Sequence, residues 1–300
     1  MVIPQIVFHA GDLAPGDSRS AGLDLSPLRI DRIRSAADPL FEEAYGRLWL
    51  EFGRKGEMES RQALKRRFEL APRMLYEMIY VRRKGEVIPA RDHTRVIPLT
   101  GPGDDFVAVR DHTVILDREG RGAVVHLSHN LIAPPARRTG LAGWMRALPI
   151  ATARECLAAH GISNGGKNGL PPGARITLVA EMEHHTPGRH DELARLLAYE
   201  KAGFRKIDPA RLAYHQPDFR SPAEIDAAGG PHPLPFQLIL RRVGREHERV
   251  ISGEEARRLA RALYEIYGFH FRASDMAHPL LSLEGYPADD ATIALVPPTQ

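Results

Sequence analysis

The sequence predicts an α/β chain in which strands alternate with helices, and three stretches carry that prediction. Residues 123–161 begin with a β-branched and apolar run (Val124, Val125, Leu127, Leu131, Ile132), break at Pro134-Pro135, and pass through Arg137-Arg138-Thr139-Gly140 into a helical pattern. Residues 176–181 form a second short strand pattern. Residues 191–204 place Leu193, Leu196, Leu197 and Ala202 at helical spacing, with Gly203 as the left-handed stop.

Composition sets the outer limits. The chain has 300 residues, 43% apolar and 26% charged, enough to build one large core or two small ones. No apolar run approaches the length that spans a bilayer, so no membrane partner is expected. The first twenty residues lack the charged start and continuous apolar stretch of a secretion signal. One cysteine, Cys156, excludes an internal disulfide framework and fits a reducing cytoplasm; it falls in a helical pattern, as a core thiol does. Arginines crowd residues 61–83 (Arg61, Arg66, Arg67, Arg73, Arg82, Arg83), yet no stacking or base-reading motif accompanies them and the net charge is only +3. They read as solvated faces, and no nucleic-acid partner is expected.

Taken in order, residues 1–27 are rich in Gly, Pro, Asp and Ser and read as an arm or added edge element, partly disordered. Residues 28–33 alternate apolar and polar, as a half-buried strand does. Asp38-Pro39 then starts a helix carrying Leu40, Phe41, Ala44, Leu48 and Phe52. A second helix covers 57–68. Residues 74–83 form a strand, with Gly85 turning into 86–90; another strand lies within 107–116, after a Pro/Gly loop at 98–105. Pro149 is expected to kink or end the first half of the helix that follows Gly140. Residues 164–173 form a loop, and 204–207 and 235–243 make a hairpin whose long connection suits a functional segment. Ser252-Gly253-Glu254-Glu255 is a capping box for a helix with Ala256, Leu259, Ala260, Leu263 and Tyr267 on one face. That face is buried either on its own domain or on a second subunit, as in a homodimer. Three segments result: an arm (1–27), a main domain (28–244), and a C-terminal helix and tail (245–300).

The strand, basic glycine turn and helix make an anion site. The first N–H groups of a helix lack internal acceptors, the helix dipole adds partial positive charge, and Arg137 and Arg138 suit phosphate oxygens. The run from Ile132 to Ala142 (IAPPARRTGLA) resembles the V-x-P-x-x-R-x-x-G-x-G/A signature of the GNAT acyl-CoA-dependent N-acyltransferases. Downstream, Tyr199-Glu200-Lys201-Ala202-Gly203-Phe204 is similar to that family's Y-x-K-x-G-F, although Glu192 and Arg195 stand where the family often has Asn and Ala. The resemblance covers residues 28–243. It implies a mixed, mostly antiparallel central sheet with splayed strands flanked by helices, to which this chain adds a C-terminal helical extension.

It also implies roles. Pantetheine contacts fall on the backbone of Leu131, Ile132 and Ala133, and the pyrophosphate of acetyl-CoA or another acyl-CoA falls on Arg137, Arg138, Thr139, Gly140, Leu141 and Ala142. Tyr199 corresponds to the tyrosine that protonates the leaving thiolate. His126 occupies a strand position where some members carry a catalytic Glu, and its ordinary pKa suits a general base. Glu181, with Glu183, is the alternative base. Strand alternation sets His126, Ser128 and Asn130 on one face, so Ser128 and Asn130 are expected to meet the acceptor together with Tyr214 and His215 of the long loop. The acceptor is an amine on a small molecule or peptide. The histidines at 126, 129, 184, 185 and 190 lack metal-ligand spacing, and no metal is expected. The competing function is a non-catalytic acyl-CoA-binding sensor or partner-binding module.

Overall fold

The computed structural model describes residues 9–84, 105–117, 122–160, 174–186 and 188–300. The expected hairpin partner at 86–90 and the loop at 164–173 lie outside them, as does nearly all of the 98–105 loop.

The arm forms a 3-10 turn (Ala10–Asp12) and a short helix α1 (Ser18–Ala21). Then come β1 (Leu28–Ile33), α2 (Phe41–Glu51), α3 (Arg61–Arg67), β2 (Met74–Arg83), β3 (Phe106–Leu116), β4 (Gly122–Ile132) and α4 (Leu141–Ala159). The second half holds β5 (Arg175–Met182), α5 (His190–Lys201), β6 (Arg205–Ile207), β7 (Tyr214–Gln216), α6 (Pro222–Ala227) and β8 (Leu234–Arg242). The chain closes with β9 (Val250–Ser252), α7 (Gly253–Gly268), α8 (Ala273–Ser282) and β10 (Thr292–Val296).

The strands form an open mixed sheet in the order β1-β2-β3-β4-β5-β8-β6-β10-β9, with β7 on β8. Among the described residues every pairing is antiparallel except β4 with β5. Helix α4 covers one face, where Ile150, Ala153 and Leu157 meet Val125, Leu127 and Leu178, and α5 joins it through Leu196 and the Ala202 that follows it. On the other face α2 packs Phe41, Ala44 and Leu48 on Met78 and Tyr80, and α7 packs Leu259, Leu263 and Tyr267 near Val179 and Leu240. The apolar face of α7 is thus buried within its own chain. The weakly patterned tail supplies α8 and β10, and β10 joins β6 to β9.

Several local expectations are corrected. The described part of the arm, residues 9–27, adds no element to the sheet edge. It runs along α4, where Asp12 pairs with Arg154, Asp17 with Arg146 at 2.9 Å, and Trp144 Nε1 donates to Ser20 O at 2.8 Å. The second helix begins at Arg61, after Ser60, whose hydroxyl accepts from the Ala63 N–H, and not at residue 57. Helix α4 runs 19 residues with Pro149 inside it. Both flanks of that proline are buried against the sheet, so packing outweighs the one hydrogen bond that proline removes.

Beneath α4 lies a buried ionic group. Glu77 is fully buried and meets Arg32 Nε and Arg34 Nε, each at 2.6 Å, and Thr152 donates to it. Burial opposes its charge, but the neighbouring His112 and arginines outweigh that and hold the carboxyl far below its usual range.

Candidate active site

The parallel pairing of β4 with β5 covers only Gly122–His126 against Arg175–Val179. Beyond His126 the strands part: the rest of β4 stays with β3, and the end of β5 stays with β8. A bulge adds to this divergence. The β3–β4 register passes from Arg110↔Asn130 to His112↔Leu127, so Ser128 and His129 together oppose Asp111.

The bulge corrects the expected shared face. Ser128 Oγ is 3.4 Å from His126 Nδ1. The next residue on that side of the sheet is His129, which bonds to Asp111, and Leu131 packs with the α2 cluster. Ile132 packs with the α4 cluster, while Asn130 lines the cavity described next together with His126, Ser128 and His129. An extra residue in a strand reverses every later side chain.

The cleft opens into a cavity of about 180 Å³, lined among others by Phe52, Glu57, Glu59, Arg67, His126, Ser128, His129, Glu181, Tyr199, Gln216, Phe219 and Tyr267. At its apex Glu181 Oε2 is 3.0 Å from His126 Nε2. Tyr214 OH donates to Glu181 at 2.6 Å, Tyr267 OH donates to it as well, and Gln216 Nε2 lies at 3.4 Å. Burial disfavours the Glu181 charge, but these hydrogen bonds, His126 first, hold its carboxyl below the usual range. Desolvation and the Glu181 charge push the Tyr214 and Tyr267 hydroxyls well up, so both stay protonated donors. Nε2 of His126 thus faces the Glu181 carboxylate, and Nδ1 faces the Ser128 hydroxyl.

Two further charged pairs border the cavity, and neither emerges from sequence motifs. His129 donates its backbone N–H to Asp111 at 2.7 Å, places Nδ1 3.0 Å from the same carboxylate, and places Nε2 3.0 Å from Glu57 O. Burial opposes its charge, but Asp111 outweighs burial and pushes it up to about 9. Arg67 is 1% exposed and pairs with Glu59. Packing, not a motif, makes both: α3 carries Arg67 back to Glu59 eight residues earlier, and the bulge turns His129 inward.

The other expected residues fall in distinct places. Tyr199 reaches the cavity edge, with its ring against Phe204 and the Arg146 guanidinium carbon 5.6 Å from its centroid. Tyr214 is 1% exposed and spends its hydroxyl on Glu181, while His215 stacks edge-on against His278; neither lines the cavity. His184 and His185 sit at the end of β5, the latter 4.0 Å from Glu192. Among the described residues no three His, Cys, Asp or Glu side chains are placed to hold a metal ion. Burial pushes the Cys156 thiol up to about 11, as suits a packing residue.

At the mouth of the split, Gly140 (φ 103°) caps α4 and Arg138 takes a left-handed φ of 65°. Arg137 Nε is held by Ile132 O at 2.9 Å, and Thr139 Oγ1 donates to Ala136 O at 2.8 Å. A Cβ on Gly140 would lie 2.6 Å from the Arg19 carbonyl oxygen, so only glycine admits the arm's backbone here. Leu131, Ile132 and Ala133 border the split, their β3-side ladder continuing to Ala133 N–H on Val107 O at 2.9 Å.

No protein-family profile and no curated protein matches the chain. Among solved structures it is similar to a putative GNAT-family acetyltransferase from Bacteroides thetaiotaomicron (15% identity, 71% of this chain and 86% of that one, TM-score 0.39). It is also similar to a tandem GNAT protein from the clavulanic acid biosynthesis pathway (17% identity, 63% and 47%, TM-score 0.34). A third is an aminoglycoside 6'-N-acetyltransferase complexed with coenzyme A (13% identity, 72% and 97%, TM-score 0.34). No helix among the described residues is long and apolar enough to cross a membrane. By its own topology, a mixed, mostly antiparallel sheet flanked by helices in which, among the described residues, the single parallel strand pair parts at His126, the chain has the architecture that the sequence resemblance implies.

Proposed function

We propose that the chain is an acyl-CoA-dependent N-acyltransferase, with acetyl-CoA the leading donor and a small amine the acceptor. The observation that carries this reading is the hydrogen-bonded Glu181–His126 pair, set where the strands part and facing a cavity, with a basic glycine turn at the other end of the same split. Arg137, Arg138 and the N–H groups of Thr139–Ala142 would hold the pyrophosphate, and the free edge of β4 at residues 131–133 would take the pantetheine. Amide formation needs an unprotonated amine beside the thioester. His126 Nδ1 takes the amine proton as nitrogen bonds to the carbonyl carbon; Glu181 holds the ring in the required tautomer and stabilises the imidazolium. The C–S bond then breaks, and Tyr199 gives its proton to the departing thiolate. Ser128 stands between Nδ1 and the cavity as a relay or an acceptor contact.

The test is thermal-shift titration with acetyl-, succinyl- and long-chain acyl-CoA, followed by thiol release with pools of amines. Stabilisation by an acyl-CoA with amine-dependent release supports the transferase. Stabilisation without release by any amine replaces it with an acyl-CoA-binding module.

A further inference from the structure

The floor of the cavity holds an arginine whose surroundings account for only part of its hydrogen-bonding capacity. Arg67, at the end of α3, lines the cavity yet is 1% exposed. Its Nη2 pairs with Glu59, and its Nε donates to His270 Nε2 at 3.3 Å. The guanidinium carbon lies 5.8 Å from the Tyr76 ring centre and 5.6 Å from that of Tyr267, so aromatic rings fix its plane. Burial, with the cationic arginines beside it, presses His270 down to about 3, and it acts as a neutral acceptor. The Glu59 carboxylate and one neutral ring are its hydrogen-bond partners, the Asp111 charge acts on it from farther off, and among the described residues Nη1 has no hydrogen-bond partner. A buried guanidinium nitrogen left this way is costly, and a planar fork with free N–H groups matches a carboxylate.

Tyr267 fixes the spacing to the chemistry. Its ring stands 6.1 Å from the His126 ring and its hydroxyl donates to Glu181, while its face meets Arg67. The proposed base and the Arg67 guanidinium thus both pack against the Tyr267 ring, 6.1 and 5.6 Å from its centre. A cavity of about 180 Å³ is close to the roughly 150 Å³ that holds a benzene-sized molecule.

We propose that Arg67 is the acceptor-recognition residue of this cavity, its free Nη1 receiving the carboxylate of a small amino acid whose amine faces His126 and Glu181. The identity of the amine as nucleophile rests on the acyl-transfer reading; recognition of its carboxylate does not.

Calorimetric titration separates the two. The probes are glycine, β-alanine, 4-aminobutyrate and 5-aminopentanoate, each beside its primary amide, against wild type, R67K and the charge-free pair E59Q/R67Q, whose folding is checked by thermal melting. At least one amino acid should bind wild type tenfold or more tighter than its amide. That preference should shrink in R67K and fall to about twofold or less in E59Q/R67Q. Equal binding of acids and amides, survival of the preference in the double variant, or no binding across the series would overturn the assignment. Thiol release from acetyl-CoA is read on the same samples. Preference without release sinks the transferase reading alone, and release from acids and amides alike sinks the Arg67 assignment alone.

Discussion

His126 Nε2 lies 3.0 Å from Glu181 Oε2 across 55 residues of sequence, at the last paired rung before β4 and β5 separate. Pairing and separation together make the site: the parallel rungs fix the two strands, and the split gives the ring room for a reactant.

If this pair delivers the base, His126→Ala should lower kcat by about 10²–10⁴-fold while acetyl-CoA affinity stays within a few-fold. Glu181→Gln should lose at least tenfold, and the double variant little more than His126→Ala, because the two act as one unit. Steady-state thiol release and calorimetry check this.

At the other end of the split, Gly140→Ala should weaken acyl-CoA binding by tenfold or more. The new Cβ meets the Arg19 carbonyl and must also adopt a φ of 103°. Such strain costs on the order of 1–3 kcal/mol, so the melting temperature should fall as well. An unchanged dissociation constant would move the cradle elsewhere.

The His129–Asp111 pair makes a prediction about pH. His129 is raised to about 9 from an ordinary value near 6.5, so its stabilisation is complete below about pH 6.5 and lost as pH rises through 9. Urea unfolding of wild type should show up to roughly 3 kcal/mol lost over that window. Asp111→Asn should be less stable at pH 6 and lack that decline.

Glu77 tests the buried ionic group under α4. Glu77→Gln leaves Arg32 and Arg34 without their shared fully buried counter-charge, and removal of one partner from such a pair costs about 3–5 kcal/mol. Chemical denaturation should show that loss, with acyl-CoA affinity restored at low temperature where the variant remains folded.

Much of the fold was legible because it is local. The β-branched runs of β4 and β5, the Ser252 cap before α7 (the serine half of the expected capping box) and the glycine after α5 each announce their element within a few residues. The basic turn before α4 was legible for the same reason. What escaped depends on distance. The bulge at Ser128-His129 has no signature in sequence, yet it brings His129, which strict alternation would turn away, to the cavity. Arg67, one of several arginines in its region, becomes distinct only when Tyr76, Glu59, Tyr267 and His270 close around it. Tyr214 looked like an acceptor contact; its position two residues before Gln216, on the strand beside β8, carries its hydroxyl to Glu181.

The most direct test of the central claim is initial-rate thiol release from saturating acetyl-CoA over a panel of amino acids and simple amines, with wild type and His126→Ala side by side. The account predicts amine-dependent release by wild type that drops at least a hundredfold in the variant, with acetyl-CoA still bound. Release equal in both proteins, or no amine-dependent release from wild type carrying bound acetyl-CoA, would contradict it.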